Sequence, residues 1–204
     1  MESLARGGTR WKRFAVVMVP SVAATAAIGV ALAQGALAAS FSVSGQQFKV
    51  TADRLEATGF TQYGALDSTK KGKKPVTVVG MNDAEIKNLC QSVVIPVPLF
   101  GDISMKLSAG RGNTPVTAKK LYIDADDLAA NATFKNFDIG VSVDDATKGP
   151  GVQKGDEYAK GSFGQQADSV IFTDVRQRAW ATTAGTFKLS GLKMSVKKGA
   201  HECY

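Results

Sequence analysis

Near the end of this 204-residue sequence stand His201, Glu202 and Cys203, a base, a carboxylate and a thiol in a row; the other cysteine is Cys90. Nucleophilic catalysis needs a hydroxyl or thiol within reach of a histidine base, and a carboxylate to orient that base. His201 is the single histidine, so any such chemistry runs through it. Successive side chains of an extended tail point to different sides, so adjacency in sequence does not assemble them. No GxSxG elbow occurs: "GSFG" (161–164) and "KLSAG" (106–110) lack its spacing. The reading is a solvated tail histidine and no catalytic residue.

Metal chemistry has clustered carboxylates to work with, at "DADD" (124–127), at Asp144–Asp145 and at Asp156–Glu157. None has the calcium-loop spacing with its mid-loop glycine and distal glutamate. On an alternating strand Asp124 and Asp126 are simply the wet face. No metal and no cofactor is expected. "STKKGKKP" places Lys70, Lys71, Lys73 and Lys74 around a glycine. It is either a solvated loop or a patch against anionic headgroups or wall polymers, each lysine contributing about 1 kcal/mol there. The net charge is +7, but Arg6, Arg10, Lys12 and Arg13 against Glu2 supply +3 of it, leaving +4 downstream. That excess is too small to argue for nucleic acid, and the scattered aromatics make no stacking platform for it.

The elements that must position these groups alternate with period two. "DISMKLS" sets Ile103, Met105 and Leu107 against polar neighbours. "KLYIDAD" does so with Leu121, Ile123 and Ala125, and "FDIGVSVD" with Phe137, Ile139, Val141 and Val143. Such alternation marks strands with one buried face. Further strands are expected at "FSVS", "FKVTA" and "PVTVVG", with glycine and proline clusters as punctuation. The 21 glycines and many short strands predict an all-β domain, an antiparallel or stacked arrangement that is sandwich-like or solenoid-like.

Three features stand out. In "GTFKLSGLKMSVKK" the apolar parity changes between Leu189 and Leu192, and a bulge at Ser190–Gly191 would keep one apolar face. "AEIKNLCQSV" (84–93) aligns without gaps on "ATFKNFDIGV" (132–141). Alone, the first copy suits a short helix capped by Asn82 or Asp83; its β-rich partner pulls it towards strand, and the pair suggests duplicated β units. "VVIPVPLF" (93–100) lacks alternation; it is either a buried strand or a segment that lines a groove or binds a partner strand.

The leader fixes location. Residues 1–13 form a basic segment, and residues 14–33 carry no charge, enough helix to span about 30 Å of hydrocarbon. The positive-inside rule puts the first residues in the cytoplasm and the body outside. Ala36 and Ala38 also have the small-x-small spacing of a cleavage site. Residues 14–39 are thus a transmembrane anchor or a signal peptide, and residues 41–204 an extracytoplasmic β domain, membrane-held or secreted. In that compartment two cysteines favour a disulfide, Cys90 to Cys203. Closing a loop of about a hundred residues is worth roughly 4–5 kcal/mol.

"GGTRWKRFA", "ALAASFSVSGQQFKV", "NLCQSV", "FGQQAD" and "WATTAGTFKLSGLKM" resemble an uncharacterised actinobacterial family of exported or membrane-anchored proteins, some labelled "cholesterol esterase". The resemblance implies an extracytoplasmic location, with Cys90 and Cys203 matching the family's two cysteine positions. The expected function is a non-catalytic, membrane-associated binding or assembly module of the envelope, its ligand a lipid or a membrane protein. The alternative is a lipid or sterol ester hydrolase. Oligomeric state is left open.

Overall fold

A computed structural model describes residues 45–69 and 72–204; the leader and Lys70–Lys71 lie outside these residues, and with them the expected N-terminal helix. Eight strands follow in order: β1 (Phe48–Thr69), β2 (Gly72–Lys87), β3 (Leu89–Val97), β4 (Gly101–Ala109), β5 (Val116–Lys135), β6 (Asp138–Ser142), β7 (Phe163–Lys188) and β8 (Lys193–Lys198). One short 3₁₀ turn sits at Val143–Asp145. Among the described residues no helix is long and apolar enough to cross a membrane.

All pairings are antiparallel, in the sheet order β6-β7-β5-β2-β1-β3-β4-β8. β7 also pairs with β1 from Phe48↔Ala179 to Tyr63↔Gly164. The strands β1, β2, β5 and β7 therefore pair in a closed cycle, which leaves none of these four an open edge. The sheet is neither an open sandwich nor a solenoid.

Several of these strands are segments of longer ones. Arg54↔Lys87 and Thr51↔Cys90 keep a single register along β1, so β2 and β3 are one strand bent at Asn88. Lys135↔Ser169 and Asp138↔Gln166 do the same along β7, so β5 and β6 are one strand bent at Asn136. Both bends have left-handed backbone, φ 53° at Asn88 and 51° at Asn136. The sequence similarity of 84–93 and 132–141 thus marks two equivalent bent strands, and the helical reading of the first copy is wrong.

The bends line up across the sheet. One line runs through Asp174, Asp53 and Asn88, beside the register shift at Ala129/Asn131; a second runs through Asn136, Asp168, Gly59, Asn82 and Lys120, and the regular ladders skip the positions named on both lines apart from that shift. Side chains bridge the gaps: the amides of Asn88, Asn131 and Asn136 donate to the carboxylates of Asp53, Asp174 and Asp168. Gly59, at φ 64°, faces Asn82 so closely that a Cβ would lie 2.1 Å from the Asn82 amide nitrogen. A side chain there would displace Asn82 and strain the backbone.

Each bend adds one residue, and with it the apolar face slips one position. Inward residues on β1 are Val50, Ala52, Leu55, Ala57 and Phe60; on β7 they are Ala167, Val170, Phe172 and Val175. Steps of two alternate with steps of three, so the strand turns a corner without exposing its buried side. Phe60, Phe134 and Phe172 meet edge-on or tilted in this core, with ring centroids 5.2–6.2 Å apart.

A second, smaller cluster lies on the outer face: Tyr63, Ala65, Val76, Val78 and Val143, flanked by Tyr122, Val152, Tyr158 and Trp180. The connection between β6 and β7, residues 143–162, roofs it. Thr61 Oγ1 donates to the Pro150 carbonyl and Tyr122 OH to that of Gly151, both at 2.9 Å. The Gln153 N–H donates to Tyr63 OH at 2.9 Å. A Cβ on Gly149 would lie 2.7 Å from the Phe60 carbonyl carbon, so the strap seats on β1 because that residue has no side chain.

Candidate functional site

The sequence-predicted site residues separate into two places. Cys90 and Cys203 are bonded, with Cα atoms 6.0 Å apart. The bond lays the tail across the polar face of β3 and β4. There the Cys203 N–H donates to Ser92 Oγ at 2.9 Å and the His201 N–H to Ser104 Oγ at 2.7 Å. Ser104 Oγ in turn donates to the Gly199 carbonyl. Lys49 Nζ binds the Glu202 carboxylate at 2.8 Å and sits 5.0 Å from the Tyr204 ring centroid. His201 Nε2 lies 3.1 Å from the Lys198 carbonyl oxygen. Ser104 Oγ is spoken for by backbone, and the thiol is oxidised, so the tail residues act as a clasp.

Of the lysine cluster, Lys73 and Lys74 lie on β2. Ser68 and Thr69 end β1, Gly72 and Lys73 begin β2, and Lys70–Lys71 fall outside the described residues. Lys73 pairs with Glu157 of the strap. Lys74 Nζ stands 5.9 Å from the Trp180 ring centroid.

Asp124 is also corrected: it is 6% exposed, because the strap covers the face that alternation marks as wet. It shares that covered face with Asp67 and Asp156. Burial, with the charges of Asp67 and Asp156, pushes Asp124 up to about 7. Burial, with the charge of Asp156, pushes Asp67 up to about 6. Asp156 is also raised by burial, against the hydrogen bond it accepts from Tyr63 OH at 2.6 Å. Asp67 Oδ2 and Asp124 Oδ1 are buried without a hydrogen-bond partner. Among the described residues no three histidine, cysteine, aspartate or glutamate side chains are placed to hold a metal ion. Sequence reasoning missed this group because its members come from β1, β5 and the strap.

The remaining site is a surface. Beyond the closed cycle, β3, β4 and β8 extend as a three-stranded wing. Cross-strand rows Val93–Met105–Val196 and Gln91–Leu107–Met194 share one face; the tail covers the other. The apolar face is open: Met105 is 39%, Val196 65% and Met194 67% exposed. At its tip, between Val97 and Gly101, Leu99 is fully exposed with φ 70°, and Phe100 is 68% exposed. "DISMKLS" alternates as expected, but the side read as buried has no cover at Met105. "VVIPVPLF" forms the inner strand of this wing and its tip. A groove of about 650 Å³ lies elsewhere, across β1, β2, β5 and β7, with Glu56, Asp83, Glu85 and Lys119 on its otherwise largely apolar walls.

The chain belongs to DUF6230, a family of unknown function, whose profile matches residues 44–204. No curated protein matches it in sequence. No solved structure matches it either.

Proposed function

We propose that this DUF6230 protein is a non-catalytic, membrane-associated binding or assembly module of the cell envelope, working outside the cytoplasm. The observation that carries the reading is the open apolar face of the wing. Monomeric soluble proteins rarely leave a contiguous apolar patch uncovered without a use for it. The leader supports the location: residues 14–39 read as an anchor or signal, and the resemblance to exported actinobacterial proteins points the same way. A lipid or a membrane protein suits such a surface.

The competing reading is the ester hydrolase suggested by the "cholesterol esterase" label. It must use His201, whose backbone N–H is bonded to Ser104 Oγ. The full chain is assayed for turnover of a soluble ester and a sterol ester beside a His201→Ala variant. The same preparation is extracted, and bound lipid and envelope proteins are identified by mass spectrometry. A bound lipid or membrane protein, with ester turnover at background in both forms, is the expected result. Hydrolysis lost with His201→Ala would replace the binding module by the hydrolase.

A further inference from the structure

Resting on the binding-module reading, we infer that the wing's partner is an anionic lipid surface, entered shallowly by Leu99 and Phe100 and by the Met105–Met194–Val196 face. The apolar groups are placed for it. Leu99 and Phe100 project from a three-residue turn braced by a hydrogen bond from Phe100 N–H to the Val97 carbonyl, 3.1 Å long. The wing behind them is three strands wide, and its other face is closed by the disulfide-held tail. Only one side is therefore available, and it is apolar.

Charge selects the partner. The outermost strand, "KMSVKK", carries Lys193, Lys197 and Lys198 and no acid. Its free edge matches the same strand of a second copy, but in the symmetric antiparallel register Lys193 would lie opposite Lys198 twice. Lys198 shares the face of Met194 and Val196 and reaches headgroups past that apolar surface; Lys193 and Lys197 point to the other face and add positive charge along the same edge. An amphipathic face with a basic rim is the composition of an interfacial, non-spanning contact.

The connectivity agrees. β1 starts at Phe48, and Lys49 pairs with Ser92 of β3, so the chain arriving from the leader joins the sheet beside the wing. The residues between the apolar stretch and Phe48 number about fourteen and reach at most ~50 Å. A leader held in a bilayer keeps Phe48 within that distance of the same surface.

The test uses the full chain reconstituted into vesicles of phosphatidylcholine with phosphatidylglycerol. Benzoylphenylalanine is placed, one position at a time, at Phe100, at Met194 and at Ile139. Ile139 is equally exposed at 65% but lies on β6, at the opposite end of the sheet order. Irradiation is expected to give lipid adducts at 100 and 194 at least about five-fold above 139. Phosphatidylcholine-only vesicles, or the triple change Lys193→Gln, Lys197→Gln and Lys198→Gln, lower the 194 adduct several-fold. Equal yields at the three positions would overturn the lipid assignment. So would adducts to a second chain or to the chain's own leader; either outcome keeps a docking face, and with it the binding-module reading, while changing its occupant.

Discussion

Asn88 and Asn136 hold the same position in two different strands. Each follows a lysine, each has a left-handed backbone, and each gives its side-chain amide to an aspartate on the neighbouring strand, Asp53 and Asp168 respectively. A long strand that must wrap a closed four-membered cycle has to bend, and these residues are where it does. The bridge takes over where the backbone ladder is interrupted, so the bent position stays tied to its neighbour.

Replacing Asn88 separates the two contributions. Asn88→Gly keeps the easy left-handed backbone and loses the bridge. Asn88→Ala loses both, and is expected to cost about 1–3 kcal/mol, with the glycine variant the milder. Urea unfolding of both variants measures this; a glycine variant less stable than the alanine one would refute the backbone account.

The disulfide closes a sequence separation of 113 residues. Its removal by paired Cys90→Ala and Cys203→Ala changes is expected to cost about 4–5 kcal/mol on chain entropy. Denaturant midpoints of the double variant against the oxidised parent read the loss. Hydrogen exchange should speed up first at the Gly199, His201 and Cys203 amides, which the tail's contacts protect.

Stability should fall as pH rises through mild acid. Asp67 is pushed up to about 6 and Asp124 to about 7, against about 4 in an unfolded chain. Between those values the folded state holds protons the unfolded chain has released, so its advantage shrinks from about pH 4 upwards and is gone above about pH 7. Asp156, Tyr63 and Tyr122 surround the pair, and Lys74 lies opposite Asp67 on β2. Comparing thermal midpoints at pH 5 and pH 8 tests the sign, and Asp124→Asn should flatten the difference. A midpoint higher at pH 8 would contradict it.

The strap offers a steric test. Gly149→Ala pushes a methyl against the Phe60 carbonyl and Thr61, an overpacking worth about 1–3 kcal/mol. A Cβ on Gly151 would meet nothing within 4 Å, so Gly151→Ala should stay within about 0.5 kcal/mol of the parent. Equal effects in the two variants would mean that the strap is not seated at Gly149.

Local alternation, turn residues and cysteine count determined that the body is a glycine-punctuated antiparallel β structure. The parity slip between Leu189 and Leu192, read from sequence as a bulge, lies where β7 gives way to β8 and Gly191 takes φ 64°. The other slips were hidden, because Asp53, Lys120 and Asp174 look like ordinary wet positions until a neighbouring strand meets them. Tertiary structure alone decided that β7 returns to β1, that residues 143–162 bury Asp124, and that Met105 and Met194 stay uncovered. Alternation tells a strand that it has two faces. What lies against each face is set by segments far away in the chain, and no local pattern records it.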